Sequence, residues 1–156
     1  LQAMTLPENK DKHLVAVSNG GDEYEKAEAF IYEKNLEGRV FFLKDLPWYE
    51  LPIIYHMSQG LIYPSIYEGF GLPILEALRC GKPVITSNLS SMPEVGGDAC
   101  IFIDPMNVEE ISAAINFIYY NLELAAEVKI KAMHQVQKFN PEKMTAKMMD
   151  VYKSLR

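Results

Sequence analysis

The sequence contains little cysteine and no long hydrophobic run. Two of its 156 residues are cysteine, Cys80 and Cys100, and they lack the C-x-x-C spacing of metal-binding and redox motifs. We therefore expect buried, reduced thiols in a cytoplasmic protein. No apolar run approaches the ~20 residues that a membrane-spanning helix requires. Peripheral membrane attachment of a longer protein stays an open alternative.

Positive charge and histidine are also scarce. The chain has 15 Lys and Arg residues against 21 Asp and Glu, a net charge of −6. This balance argues against nucleic acid as a partner, because phosphate backbones require basic patches. His13, His56 and His134 share no metal-ligand spacing and no D-x-D element occurs, so we predict no metal site. Walker and G-x-S-x-G motifs are absent from the sequence.

The hydrophobic pattern predicts an α/β domain. Strands expected at 14–18, 39–43, 61–63, 83–86 and 99–103 alternate with helices expected at 22–35, 52–57 and 73–79. Such alternation predicts a parallel sheet with right-handed crossovers. After Pro105 the pattern is helical only, and its first apolar stripe extends from Val108 to Leu122. The fold class predicted is a Rossmann-like parallel sheet flanked by helices.

Residues 68–76 carry the most informative pattern in the chain. They read Glu-Gly-Phe-Gly-Leu-Pro-Ile-Leu-Glu and follow the short apolar run at 61–63. A strand that leads into a helix through a glycine turn lies where open α/β sheets bind ligands. Glycine permits positive φ and close ligand approach, and Pro73 favours the first turn of a helix. We therefore expect a ligand site at this turn.

The residue types at the turn suit a nucleotide sugar. Backbone N–H groups at a helix start attract anions such as phosphate. Four amides are expected to converge on that group, those of Phe70, Gly71, Leu72 and Ile74. Carboxylates accept hydrogen bonds from hydroxyl groups. We expect Glu76, in the first helical turn, to bind a ribose diol, and Glu68 to reach the transferred sugar or the charge developing at its anomeric carbon.

The spacing alone leaves a second interpretation open. Gly-Phe-Gly also suits a tight strand-to-helix turn without a ligand, in which the helix dipole stabilises Glu76 and solvent surrounds Glu68. The turn is not a G-x-G-x-x-G fingerprint. Tyr63, Tyr67 and Phe70 make the region aromatic, which suits stacking on a base or sugar, although core packing is the more common use.

The same residues resemble a known family. Residues 63–76, together with 39–43, 77–84 and 92–99, are similar to the C-terminal domain of retaining GT-B glycosyltransferases of family 4, the "glycosyl transferases group 1" type. The resemblance covers nearly the whole chain, and its Glu-x7-Glu element is highly specific in this context. It implies the C-terminal half of a GT-B fold.

The resemblance implies a role for each matched residue. Glu68 would be the catalytic residue, and residues 68–72 would hold the donor sugar and the distal phosphate. Glu76 would bind the donor ribose, and residues 43–46 would face the nucleobase largely through backbone groups. The donor-binding set implied is Gly69, Phe70, Gly71, Leu72, Ile74, Glu76, Leu43, Lys44 and Asp45.

The resemblance also implies that residues 1–156 are a donor-binding domain within a larger protein. The family's first strand of this domain, its Arg/Lys pair that grips the diphosphate and the acceptor-binding N-terminal domain would all precede Leu1. The first four residues resemble the last turn of a helix. A helix terminus offers only about half a unit charge, too little for a diphosphate. Near the turn, the candidate cations are Lys44, Arg79 and Lys82.

The expected activity is retaining transfer of a sugar from a nucleotide-diphospho-sugar co-substrate, without a further cofactor. The acceptor would be a saccharide or lipid-linked, as in polysaccharide biosynthesis. The fragment would be inactive alone, and its final helix, from Pro141, would pack toward the N-terminal domain. Two alternatives remain open: a GT-B nucleotide-sugar epimerase with carboxylates and a histidine in its cleft, and a non-catalytic nucleotide-binding module.

Overall fold

Strands and helices alternate along the first two thirds of the chain, and the last third is helical. The structure, a computed structural model, describes residues 1–121 and 123–155. The strands are β1 (Leu14–Ser18), β2 (Val40–Lys44), β3 (Leu61–Tyr63), β4 (Val84–Ser87) and β5 (Cys100–Ile103). The helices are α1 (Asp22–Glu33), α2 (Leu51–Met57), α3 (Leu72–Arg79), α4 (Met92–Gly96), α5 (Val108–Tyr120), α6 (Leu124–Lys138) and α7 (Pro141–Ser154). The predicted α/β class, with parallel strands flanked by helices, is confirmed.

Capping residues and glycines set the ends of several helices. Two features differ from the sequence prediction. Gly81, with φ of +68°, follows the end of α3, and the Asn140 side chain accepts from the Glu142 N–H at 2.8 Å to cap α7. Asp22 is the first residue of α1 rather than its cap, because Gly21 takes the cap position with φ of +106°. The short α4 was not predicted, because its five residues are too few to show a helical period. Leu122, expected in the first helical stripe, lies outside the described residues.

The strands form two parallel sheets rather than the single sheet expected. β1 pairs with β2, and β3, β4 and β5 form a second sheet with β4 in the centre. Each sheet has its own core: Ile31 and Leu36 pack under the first, whereas Ile74, Leu78 and Val84 pack under the second. In the described part of the chain, β1 and β3 therefore each have one edge without a strand partner.

A buried polar network attaches the first sheet to the second. The first residues form short 3-10 helices at Gln2–Thr5 and Pro7–Asn9, where the sequence resembles the last turn of a helix. Asn9 is fully buried and donates to Ser112 of α5 at 2.8 Å, while Asn116 donates to Asn9 at 3.0 Å. The Arg39 guanidinium, just before β2, donates to the carbonyls of Asn9 and Met4 at 2.8 and 3.0 Å. These bonds fix the position of β2 relative to α5.

The C-terminal helices differ in how they use their apolar faces. Val128 and Ala132 of α6 are buried against the core residues of α3. Large apolar residues of α7 and the residue that follows it are exposed, namely Met144, Met148, Met149, Val151, Tyr152 and then Leu155. Within the described residues, no helix is both long and apolar enough to cross a bilayer.

Candidate active site at the glycine turn

The turn between β3 and α3 depends on one glycine for its shape. Gly71 has φ of +101° and ψ of 47°, a left-handed conformation, and it occupies the cap position of α3. A Cβ at Gly71 would also lie 3.3 Å from Cδ1 of Ile74. Gly69 differs, because a Cβ there would meet no atom within 4 Å and its φ is not in the positive range. The protein's own packing therefore requires glycine at 71 but not at 69.

The amides of this turn form the feature that suits an anion. Among the described residues, four successive N–H groups have no protein acceptor, those of Gly69, Phe70, Gly71 and Leu72. The Ile74 N–H, which the sequence placed in this set, instead donates to the Gly71 carbonyl at 3.1 Å. Ile74 is also fully buried, so it contributes to the core under the turn. Unpaired amides at a helix start carry partial positive charge.

The aromatic ring of Phe70 is engaged in packing. It lies edge-on to Phe139, with ring centroids 5.4 Å apart, and contacts the core around α3. Tyr67 is 81% exposed, so its ring is accessible from solvent. The aromatic character of the turn therefore serves packing at Phe70, while the backbone N–H of Phe70 has no protein acceptor among the described residues.

Glu68 lies in the loop after β3 with one carboxylate oxygen already bonded. Its Oε1 accepts from the Tyr63 hydroxyl at 2.6 Å and from the Ser65 hydroxyl at 2.8 Å. These two donors, the Tyr63 hydroxyl first, hold the pKa of the Glu68 carboxyl below its usual value. No protein donor to its Oε2 is found among the described residues. The carboxylate is therefore ionised at neutral pH and retains a free acceptor.

The backbone around Glu68 is fixed by hydroxyl groups that come from β4 and the loop after it. Ser90 and Ser91 donate to the Glu68 carbonyl at 2.9 and 3.0 Å. Thr86 donates to the Tyr63 carbonyl at 2.9 Å, and Ser87 donates to the Ser65 carbonyl. Ser90 takes the left-handed conformation with φ of +53°, which costs a non-glycine residue about 1–2 kcal/mol. Ser91 precedes α4 but bonds Glu68 instead of capping that helix.

Glu76 is held by a tyrosine from a different element. Its Oε2 accepts from the hydroxyl of Tyr55, on α2, at 3.0 Å. Burial raises the pKa of Tyr55, and the bond to Glu76 raises it further, so its hydroxyl stays a donor. Because α3 begins at Leu72, Glu76 lies in the second helical turn rather than in the first, where the sequence placed it. A hydroxyl group from a neighbouring helix therefore orients this carboxylate.

The segment predicted to face a nucleobase lies at the carboxyl end of β2. Leu43 and Lys44 end that strand, and Lys44 pairs in register with Ser18 at the end of β1. The Lys44 ammonium lies 3.8 Å from the centroid of the Tyr24 ring, and its pKa is raised first by the Tyr24 hydroxyl. Asp45 is exposed and adopts φ of +51°, which turns the chain sharply away from the strand.

Two of the three candidate cations lie away from the turn. Arg79 is the last residue of α3, about 10 Å along the helix from Leu72 at 1.5 Å per residue. Lys82 donates to the carbonyls of His56 and Ser58 at 2.9 and 2.7 Å, which close the end of α2. Both line a separate groove of about 710 Å³ beside α6. The turn thus has few positive side chains of its own.

The sequence did not predict the side chains that orient the two glutamates. Five of these make direct contacts: Tyr55, Tyr63, Ser65, Ser90 and Ser91. Tyr63 and Ser65 precede Glu68 by five and three residues, a spacing that could have indicated a local bond. Tyr55 and Ser90 are brought to the site only by packing of α2 and of the loop after β4. No group of three His, Cys, Asp or Glu residues that could hold a metal ion occurs in the described ranges 1–121 and 123–155.

Comparison with known proteins identifies the family. A sequence model described as "Glycosyl transferases group 1" matches residues 1–149. The chain belongs to this family. It is 40% identical over 119 residues to an O-antigen chain mannosyltransferase B of Escherichia coli, an alignment that covers 76% of this chain and 31% of that protein. The chain thus spans about a third of the length of this relative.

Solved structures share the fold described above. Sucrose-phosphate synthase from Thermosynechococcus elongatus superposes with a TM-score of 0.86 at 27% identity, over 98% of this chain and 40% of that one. The Anabaena protein HepE, solved in complex with UDP-glucose, superposes with a TM-score of 0.77 at 21% identity, over 96% of this chain and 43% of that one. The second likeness shows the fold alone. These neighbours are glycosyltransferases of the GT-B type, consistent with a C-terminal half of that fold.

Proposed function

We propose that this chain is the donor-binding domain of a retaining glycosyltransferase of family 4, which uses a nucleotide-diphospho-sugar as co-substrate. One observation carries the proposal: two oriented carboxylates, Glu68 and Glu76, flank four unpaired amides at the start of α3. The amides suit a phosphate, and each carboxylate keeps an oxygen for sugar hydroxyl groups. Membership of the glycosyl transferases group 1 family supports the same assignment.

The two glutamates have different roles in this proposal. Glu76 binds the donor ribose, because its free oxygen can accept from a diol on the helix side of the turn. Glu68 acts at the transferred sugar, where its ionised carboxylate stabilises positive charge that develops at the anomeric carbon. The carboxyl end of β2, from Leu43 to Asp45, faces the nucleobase. Gly69 and Gly71 let the sugar diphosphate approach the backbone.

We further propose that residues 1–156 work with a second, acceptor-binding domain. The turn has too little positive charge for a diphosphate, since Lys82 is bonded to α2 and Arg79 lies at the far end of α3. The unpaired edges of β1 and β3 suit an additional strand that carries cationic residues. The exposed apolar face of α7 suits packing against the other domain. The isolated chain is therefore expected to bind donor weakly and to transfer no sugar.

The substrate class is proposed from the relatives. A mannosyltransferase of O-antigen chains is among them, so a mannosyl donor is the first to test and a saccharide the first acceptor. The HepE complex contains UDP-glucose, so uridine nucleotides belong in the same test. A cytoplasmic location is part of the proposal, supported by the free thiols of Cys80 and Cys100.

The proposal is tested on the full-length protein that contains this chain. Saturation-transfer NMR against UDP-, GDP- and ADP-sugars identifies the donor, and product NMR reads the anomeric configuration after transfer. Retained configuration with consumption of acceptor is the expected result. An epimerised sugar with no acceptor consumed would instead assign an epimerase. Donor binding without transfer or hydrolysis would assign a non-catalytic module.

A further inference from the structure

Four side-chain hydroxyl groups donate to Glu68, the residue at the centre of the loop after β3. Ser90 and Ser91 fix its backbone carbonyl, while Tyr63 and Ser65 both donate to the same side-chain oxygen, Oε1. Two donors on one oxygen restrict rotation about the last side-chain bonds. The plane of the carboxylate is therefore set before any ligand binds.

From this arrangement we infer that Tyr63 and Ser65 are positioning residues for Glu68, which aim its Oε2 at the sugar of a bound nucleotide-sugar donor. The inference rests on the proposed function and adds to it two side chains that do not themselves contact the donor. Tyr63 ends β3 and Ser65 follows it by two residues, so both are anchored by the sheet. Their own carbonyls accept from Thr86 and Ser87, which are fully buried.

The electrostatics agree with the geometry. Burial raises the pKa of Tyr63 to about 12, with the bond to Glu68 as the second cause, so its hydroxyl remains a donor at neutral pH. The hydroxyls of Tyr63 and Ser65 lower the pKa of Glu68, so its carboxylate remains ionised there. A fixed, ionised carboxylate needs little reorganisation when positive charge develops at the anomeric carbon.

Glu76 provides a matched comparison within the same site. It also accepts from one tyrosine hydroxyl, that of Tyr55 at 3.0 Å, but it is assigned to donor binding. Removing each hydroxyl by Tyr→Phe changes one atom and retains the ring. If the two tyrosines orient glutamates of different function, the two variants must differ in which kinetic constant changes.

The experiment measures kcat and donor KM of the full-length enzyme. Tyr63→Phe and Ser65→Ala are each expected to lower kcat roughly tenfold, the effect of losing one hydrogen bond to a charged group, with donor KM nearly unchanged. Tyr55→Phe is expected to raise donor KM with kcat retained. Ser65→Thr keeps the hydroxyl and should restore kcat. Tyr32→Phe, at a residue 76% exposed on α1, controls for loss of a tyrosine hydroxyl alone.

The pH dependence gives a second measurement. Removing the Tyr63 hydroxyl raises the pKa of Glu68 toward its usual value, so the acidic limb of the kcat/KM profile should move to higher pH. The acidic limb of the kcat/KM profile of Tyr32→Phe should remain at the same pH as that of the unmodified enzyme. A purely structural role would lower activity at all pH values without moving this limb.

The outcomes separate the inference from the function on which it rests. If the unmodified full-length protein transfers no sugar, the proposed function fails. If it does transfer, but Tyr63→Phe and Ser65→Ala keep kcat within twofold, the positioning role is wrong. A rise of donor KM alone in these variants would also overturn it. If Tyr63→Phe lowers the unfolding midpoint, Ser65→Ala and Ser65→Thr still decide, because Ser65 donates independently to the same carboxylate oxygen.

Discussion

Nδ2 of Asn9 lies 2.8 Å from Oγ of Ser112, although 103 residues separate them in the chain. Ser112 in turn donates to the Glu8 carboxylate at 2.9 Å, and Lys12 donates to Asn116 at 3.0 Å. These buried contacts hold the first sheet against α5, where strand pairing between the two sheets is lacking in the described residues. The relative position of β2 and the glycine turn thus depends on a small polar interface.

Replacing Asn9 should strongly destabilise the domain. Asn9→Ala removes three buried hydrogen bonds, to the Ala3 carbonyl, Ser112 and Asn116, which should cost about 3 kcal/mol of unfolding free energy. Urea unfolding of the 156-residue chain measures this loss. Asn107→Ala, which removes the exposed cap of α5, should cost only about 1 kcal/mol. Equal losses in the two variants would show that the buried network has no special role.

The two glycines of the turn should respond differently to alanine. Gly71→Ala should lower stability by about 1–2 kcal/mol, because the left-handed φ and the contact with Ile74 both oppose a side chain. Gly69→Ala should leave the unfolding midpoint unchanged, since a Cβ there meets only open space. In the full-length enzyme, Gly69→Ala should nevertheless weaken donor binding, measured by calorimetry. Unchanged affinity would show that no ligand approaches Gly69.

The two glutamates should affect different kinetic constants. Glu76→Gln is expected to raise donor KM by roughly tenfold or more, because charge-assisted hydrogen bonds to the ribose are weakened. Glu68→Gln is expected to lower kcat by roughly 100-fold, because electrostatic stabilisation of the transition state is lost. Steady-state kinetics of the full-length enzyme measure both. The opposite pattern would exchange the two roles, and Glu50→Gln, outside the site, serves as the control.

The cysteines should be unreactive in the folded chain. Both are free, and they are half-buried where buried thiols were expected. Burial raises the pKa of Cys100 to about 12, and burial followed by the charge of Glu76 raises the pKa of Cys80. Because the thiolate is the reactive form, both thiols should react slowly with DTNB at pH 8 and rapidly in denaturant. The variants Cys80→Ser and Cys100→Ser show which cysteine is responsible for each DTNB reaction rate. Fast reaction of Cys100 in the folded chain would contradict its protonated state.

Much of the secondary structure could be predicted from short stretches of the sequence. The strands at β1 and β3 begin and end where the sequence predicts, and the others differ by about one residue. Runs of β-branched residues bounded by glycine and proline indicate strands because they fit a pleated, buried surface. The cap at Asn140 and the glycine after α3 were also predictable, since each satisfies backbone groups within a few residues.

The site was predictable only in part, because some of its contacts join elements that lie far apart in the chain. A positive φ at Gly71 follows from neighbouring residues, and so does a helix start predicted at Pro73, one residue after the observed start at Leu72. The bond from Tyr55 to Glu76 crosses 21 residues and depends on how α2 packs against α3. The hydrogen bond from Lys82 to the His56 carbonyl at the end of α2 likewise follows from packing. It occupies a side chain that the sequence analysis counted among the candidate cations near the turn.

The sequence by itself determined the alternation of strands and helices, the glycine turn and the two glutamates around it. It did so because backbone preference and hydrophobic period are properties of adjacent residues. The tertiary structure alone decided that Glu76 is oriented by the hydroxyl of Tyr55, and that the strands divide into two sheets. Hydrogen bonds between distant side chains depend on the packing of whole elements, which local patterns do not specify.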